Sequence, residues 1–316
     1  MFWSKKMDTA VILVRQTTVM FVLILFGVFL YKKGVFTKEG GKQLSNFVIS
    51  AVCPVLIFTS FQKEFDSELA SGLLMSFAMA VTAHIVFILL SLMFRHEKRG
   101  EDYAVERYAV VYSNCAFLGI PLVNSVYGAE GVFYVTAYIA VFNLLSWTHG
   151  VMTVSGSASG KALLKVLRSP AVIATAAGIV MFFSGVRLPA LVLDPLDYIA
   201  SLNTPLAMIV SGIMIAQSDI KAALKKSGIY LTCAVKLLLG PIILIPLFML
   251  FKADETAVMT TLIAASAPTA ASTIMFANKY GKDGVYASEI FAVSTLLSAA
   301  AMPLVIIMAE RLYSLA

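Results

Sequence analysis

The chain is 316 residues long, 59% hydrophobic and only 13% charged, against roughly 45–50% and about 25% in soluble domains. That composition excludes an ordinary soluble fold. The net charge of +6 is gathered in short clusters between apolar runs, so it points to the sidedness of membrane loops and not to a nucleic-acid partner.

A helix needs about 20 apolar residues to cross the hydrocarbon core of a bilayer. Runs between charged or Gly/Pro punctuation predict ten spans, taken in order as 10–31, 44–62, 69–94, 103–126, 131–154, 170–185, 198–217, 222–251, 257–279 and 284–309. The first follows Lys5 and Lys6 but lacks a small-residue cleavage pattern, so it reads as a span and not as a signal peptide. The sixth is short, and Pro189 and Pro195 punctuate the approach to the seventh. Cys53, Cys115 and Cys233 all lie inside apolar runs without disulfide or metal spacing, which argues against redox or zinc chemistry.

Ten spans put both termini on one side and divide the loops into two sets. Sixteen Lys and Arg residues fall on one set, among them Arg95, Lys98, Arg99, Lys161, Lys165 and Lys226. The other set holds six: Lys5, Lys6, Lys63, Arg187, Lys252 and Arg311. Positive charge resists translocation, so the first set is expected in the cytoplasm and both termini outside, in a cell membrane.

Two hinge segments resemble each other. Residues 127–146, YGAEGVFYVTAYIAVFNLLS, align with 280–298, YGKDGVYASEIFAVSTLLS, with a single-residue gap. The copies are five spans apart, an odd number, so the second runs through the bilayer in the opposite sense, as an inverted repeat does. Residues 1–154 are then the first five-helix repeat, 155–169 a cytoplasmic connecting loop, and 170–316 the second repeat. Chance likeness between two apolar hairpins is the competing reading, and matching helix breakers upstream weaken it. Residues 113–121 of span four (SNCAFLGIP) and 265–273 of span nine (ASAPTAAST) each carry a proline among small polar residues. Proline removes a backbone bond. Backbone freed at membrane depth is tolerated only against protein or a watery cavity, so the paired breaks favour a binding site over two packed kinks.

At these residues the chain resembles the auxin efflux carrier family, which contains the plant PIN-type exporters and bacterial malate and malonate permeases. The resemblance is carried by Asn114 with Gly119-Ile120-Pro121-Leu122 and Tyr127-Gly128, and by Pro268 with Phe276-Ala277-Asn278-Lys279-Tyr280, and its 5+5 plan covers essentially the whole chain. It implies an all-α integral membrane fold of ten transmembrane helices, two inverted five-helix repeats with crossed broken helices 4 and 9, as in bile acid symporters and NhaA. It also implies a scaffold domain and a transport domain, elevator-like alternating access, and a homodimer. Asn114, Pro121, Pro268 and Thr269 match the crossover motif. Ser113 stands where PIN proteins have a further proline, and their long cytoplasmic loop is lacking. A bacterial-type permease for small carboxylates is therefore closer than auxin export.

The candidate substrate-binding set is Ser113, Asn114, Gly119, Pro121, Pro268, Thr269 and Ser272. Ionisable residues within spans are functional suspects because burying them is costly. Lys236 in span eight and His84 in span three lie at nearly equivalent repeat positions, and either can hold an anion or carry a coupling proton; Glu289 is a third candidate. Their bland alternatives are a tie from Lys236 to a free carbonyl or to Glu289, and a packed neutral His84. Tyr112, Tyr138 and Trp147 read as packing or belt residues.

Two broken helices can aim dipoles and free amides at a carboxylate. The leading expectation is thus a secondary transporter of a small organic anion in the lipid bilayer, without a cofactor, coupled to H+ or Na+ or acting as a uniporter. A sodium/proton antiporter on the same plan needs carboxylates at the crossover, where spans four and five offer only Glu130 at the hinge. An enzyme is disfavoured, since no phosphate loop, nucleophile elbow or metal cluster is visible.

Overall fold

The computed structural model describes residues 2–94, 103–157 and 167–314, with side chains described from Ile12 onward except Leu13. Arg95, Lys98, Arg99, Lys161 and Lys165, and most of the connecting segment, lie outside the described residues.

Apart from short connections, the described residues are helical. In order come α1 (Phe2–Lys32), α2 (Lys38–Phe47), α3 (Cys53–Ser60), α4 (Ser67–Ser91), α5 (Tyr103–Val111), α6 (Ile120–Leu145), α7 (Val151–Ser155), α8 (Pro170–Ser184), α9 (Ala190–Ser201) and α10 (Asn203–Ala216). The rest are α11 (Ile220–Ala223), α12 (Ser227–Ala234), α13 (Gly240–Met249), α14 (Glu255–Ser266), α15 (Ser272–Lys279) and α16 (Gly284–Tyr313). Seven helical runs among the described residues are long and apolar enough to cross a membrane: Val14–Lys32, Lys38–Ser60, Ser67–Phe94, Cys115–Ser155, Ala190–Ala216, Ser227–Met249 and Gly284–Tyr313. Pro170–Ser184 is apolar but shorter. Leu74, Val180, Leu191 and Tyr198 stand on the outside, the inverse of a soluble surface and suited to lipid. This is a multi-pass membrane protein.

Aspartates start several helices. Asp66, Asp254 and Asp283 each accept a hydrogen bond from a backbone N–H two residues on, at the entries to α4, α14 and α16, where four N–H groups lack intrahelical partners.

Three π-turns share one cause. Val48–Val52, Cys115–Gly119 and Val235–Leu239 each run into a helix whose second residue is proline: Pro54, Pro121 and Pro241. A proline cannot donate to the carbonyl four residues back and its ring crowds that carbonyl. The turn widens instead, and Cys53, Ile120 and Gly240 each donate five residues back, to Val48, Cys115 and Val235. Pro121 therefore widens the helix without breaking it. The sequence expectation placed the interruption of span four within residues 113–121; it lies at the upstream end of that stretch, at Tyr112–Asn114, between α5 and the π-turn.

The helices pack in two groups, each drawing on both halves of the chain. In one, α1 lies along α10, and α3 packs on α8 and α9. In the other, α6 is enclosed by α4 and α14, α5 by α4, and α16 by α15 and α12. Most of the buried polar side chains belong to this second group.

Candidate functional site

The helical run from Cys115 to Ser155 turns at Gly128, whose φ of 59° and ψ of −152° form a conformation open essentially to glycine alone. Gly281, between α15 and α16, has φ 69°. The two Tyr-Gly hinges of the sequence are thus both real turns in the backbone. Each follows a broken helical path, α5 into Cys115–Tyr127 and α14 into α15.

The two breaks meet. Ser113 and Thr269 form an isolated antiparallel bridge. Asn114 N–H donates to the Pro268 carbonyl at 2.6 Å, and Ala270 N–H donates to the Tyr112 carbonyl at 2.9 Å. Adding 156 to the donor number of the first bond and subtracting it from the acceptor number gives the second. The side chains obey the same rule. Ser113 Oγ donates to the Ala265 carbonyl at 3.0 Å and Thr269 Oγ1 to the Ala109 carbonyl at 3.2 Å. In an unbroken helix, residues 269 and 113 would satisfy those carbonyls through their own N–H groups. The hydroxyls take that role when the backbone turns away, and Thr269 N–H goes instead to Ser294 Oγ at 3.3 Å.

Lys236 enters from the π-turn ahead of α13. It is fully buried; its Nζ donates to Ser113 Oγ at 2.6 Å and to the Ala265 carbonyl at 3.3 Å, and lies 3.9 Å from the Phe87 ring centroid. Ser113 has spent its one proton on Ala265, so the Tyr138 hydroxyl, 3.1 Å away, donates to it. Tyr138 is therefore part of the crossover and not only packing, a role its apolar sequence neighbours gave no sign of.

The other predicted residues fall at different distances from this centre. Asn114 is 5% exposed; its carbonyl accepts from Leu118 and Gly119 N–H, and its Nδ2 is buried without a hydrogen-bond partner. Gly119 packs near Ala264, whose Cα lies 3.6 Å from where a Cβ would stand, so it is a helix-crossing contact. Pro268 supplies a carbonyl to the bridge. Ser272 starts α15, and its Oγ lies 2.9 Å from the Tyr108 hydroxyl, which also meets Ser146 at 2.7 Å. His84 is fully buried but does not enter the bridge: Nδ1 bonds the Ala80 carbonyl at 2.7 Å and the ring stands 4.8 Å from that of Tyr138. Glu289 is not at the crossover and does not pair with Lys236; it accepts from Lys226 Nζ at 2.5 Å near the starts of α12 and α16. Buried Ser266, Thr273 and Thr295 hydroxyls, like Asn114 Nδ2, have no hydrogen-bond partner.

Two helical segments begin at this point, at Cys115 and at Ser272, and two end there, at Val111 and Ser266. The site therefore offers partial positive charge from two N-termini, one amide and several hydroxyls, and a single ammonium. Among the described residues no carboxylate forms a salt bridge with Lys236 and no cluster fit for a metal ion occurs. Such a surface suits a small anion held by N–H and O–H donors.

A family model described as membrane transport protein matches residues 12–160 and 152–306. The chain is 25% identical over 292 residues to an uncharacterised transporter of Methanocaldococcus jannaschii, covering 88% of this chain and 92% of that one. It is 25% identical over 291 residues to an uncharacterised transporter of Methanothermobacter thermautotrophicus, covering 90% and 94%. A Rhizobium meliloti protein named "Putative malonate transporter" is 24% identical over 269 residues, covering 81% and 83%.

Proposed function

Because the chain belongs to the membrane transport protein family, we propose that it is a secondary transporter of a small organic anion, a mono- or dicarboxylate, held where the two broken helices cross. The observation that carries this reading is the Ser113–Thr269 bridge with its flanking bonds. It leaves two helix starts and the unpartnered Asn114 amide at one buried point, with no carboxylate there to repel an anion. The name of the Rhizobium relative favours a carboxylate.

The reading includes ten spans in two inverted repeats. Counted as one helix, the 41 residues of Cys115–Ser155 would run about 60 Å, twice the hydrocarbon thickness; the turn at Gly128 makes two spans of it. The broken helices supply the remaining length on either side of their breaks. The shared offset of 156 across the crossover is what a two-fold relation between the halves produces. Sidedness fits too: Lys226 meets Glu289, and Tyr286 meets Glu106, at the end richer in basic residues, while Arg187 meets Glu64 at the other. Both termini are then outside the cell membrane.

The proposal includes elevator-type movement, which the two packing groups support, with the α1, α2–α3 and α8–α10 group as scaffold and the group holding the crossover as the moving body. A homodimer built on the scaffold completes the proposal. The test is reconstitution into proteoliposomes with labelled malonate and monocarboxylates. Asn114→Ala should fold, keep its melting temperature and lose uptake; wild-type uptake by that variant would remove the crossover as the site.

A further inference from the structure

We infer that Lys236 is a tethered cation occupying the position at the crossover that a free monovalent ion would otherwise need to fill, so that transport through this site requires no sodium. The inference rests on the transport site proposed above and concerns what neutralises it.

The cation position lies at the end of the broken helix α14. Its last turn ends at Ser266, and the carbonyl of Ala265, which would have received the N–H of residue 269, is released because that N–H turns to Ser294. Helix C-termini carry partial negative charge, and one at membrane depth is a cation site unless something answers it. Here the Ser113 hydroxyl answers it together with an ammonium tethered to the chain. The ammonium of Lys236 takes two oxygens, the Ala265 carbonyl and the Ser113 hydroxyl, with the Phe87 ring on another side at 3.9 Å. A carbonyl, a hydroxyl and a π face are what a small hard or aromatic-bound monovalent cation takes from a protein. Two further facts make the placement specific. The Val235–Leu239 π-turn forced by Pro241 is where the lysine emerges, and its stem is fully buried, so the head cannot reach an interface as lysines near helix ends do.

The opposite terminus is treated differently. The Ala109 carbonyl ending α5 is met by Thr269 Oγ1, and the buried His84 of α4 spends Nδ1 on its own helix. The positive charge is therefore on one side of the crossover and moves with α4, α5, α14 and α16, against which its helix packs.

The test uses the purified full-length protein and two readouts. Melting temperature is followed against NaCl with choline chloride as the osmotic control, and uptake is measured in the same salts. Wild-type protein should be indifferent to the salt in both. Lys236→Ala should lose uptake by about tenfold or more, the worth of a charge-assisted bond, and its melting temperature should respond to sodium or to ethylammonium, either of which refills the vacated position. A sodium requirement in the wild type, or a Lys236→Ala protein with full uptake in choline, overturns the inference. Should Lys236→Ala not fold, the wild-type salt comparison decides alone. Melting data need no substrate, so failure to find a transported anion would count against the transport reading and leave this result standing.

Discussion

Asn114 donates its backbone N–H to the carbonyl of Pro268 across the crossover, at 2.6 Å, while its side-chain amide is buried without a partner. One residue thus holds the joint with its backbone and leaves its side chain unengaged, as the proposed anion site requires. The two roles separate by mutation. Asn114→Asp keeps the shape and every backbone bond but places a carboxylate where an anion is to bind. It should abolish carboxylate-induced thermal stabilisation and, because the new carboxylate is buried, lower the resting melting temperature; a retained ligand shift would count against the assignment.

Ser113 and Thr269 hold equivalent bonds, but Ser113 also meets Lys236 and Tyr138. Ser113→Ala leaves Ala265, Lys236 and Tyr138 each short of a partner. Thr269→Val leaves only Ala109. An unsatisfied buried polar group costs about 1–3 kcal/mol, so Ser113→Ala should lower the melting temperature clearly more than Thr269→Val. Equal losses in detergent would show that the extra bonds of Ser113 carry no weight.

Gly128 adopts φ 59° and ψ −152°. A side chain in that region costs on the order of 1–3 kcal/mol, and Gly128→Ala meets no steric neighbour within 4 Å, so the penalty is purely conformational. The expected result is a lowered melting temperature with ligand-induced stabilisation preserved, since the crossover lies elsewhere.

Pro241 creates the wide turn carrying Lys236. With Pro241→Ala the N–H returns and the turn can close to regular α geometry, rotating preceding residues by about 100° relative to those after it. Uptake should fall as far as in a Lys236 variant while helical content by circular dichroism is unchanged. Normal uptake would mean that the proline does not position the lysine.

Lys226 and Glu289 form a pair whose carboxylate side is 2% exposed and whose lysine is 41% exposed. Lys226→Met strands the buried carboxylate and should destabilise the protein more than Glu289→Gln, which leaves the lysine access to water. Uptake at saturating substrate should survive Glu289→Gln; its loss, with the melting temperature intact, would return Glu289 to the transport pathway.

The crossing of two interrupted helices was legible in the sequence because the Tyr-Gly hinges at 127 and 280 stand in similar segments and each has a breaker upstream. The register was not. Aligning hinges pairs Pro268 with Cys115, and aligning family motifs pairs Asn114 with Thr269, whereas the backbone pairs Ser113 with Thr269. That pairing is made by main-chain atoms, which are the same in every residue and leave no compositional trace. Pro121 misled for a related reason: a proline announces a lost bond but not whether the chain breaks or widens. Depth along a span brought Lys236 and Glu289 together as candidates, yet only one faces the crossover, because position along a helix axis says nothing of rotation about it.

The π-turns have an evolutionary arithmetic. Each stretch, Val48–Val52, Cys115–Gly119 and Val235–Leu239, fits one surplus residue into a helix without changing its neighbours' partners by more than a turn. These are the places where the chain can lose a residue and remain a continuous helix, at the expense of turning one end of the span against the other. Relatives that differ by a single deletion at such a point would present a different side chain in the position of Lys236 while keeping the rest of their sequence aligned. Length, and not only substitution, is therefore a means by which proteins of this architecture can exchange the group that greets their cargo.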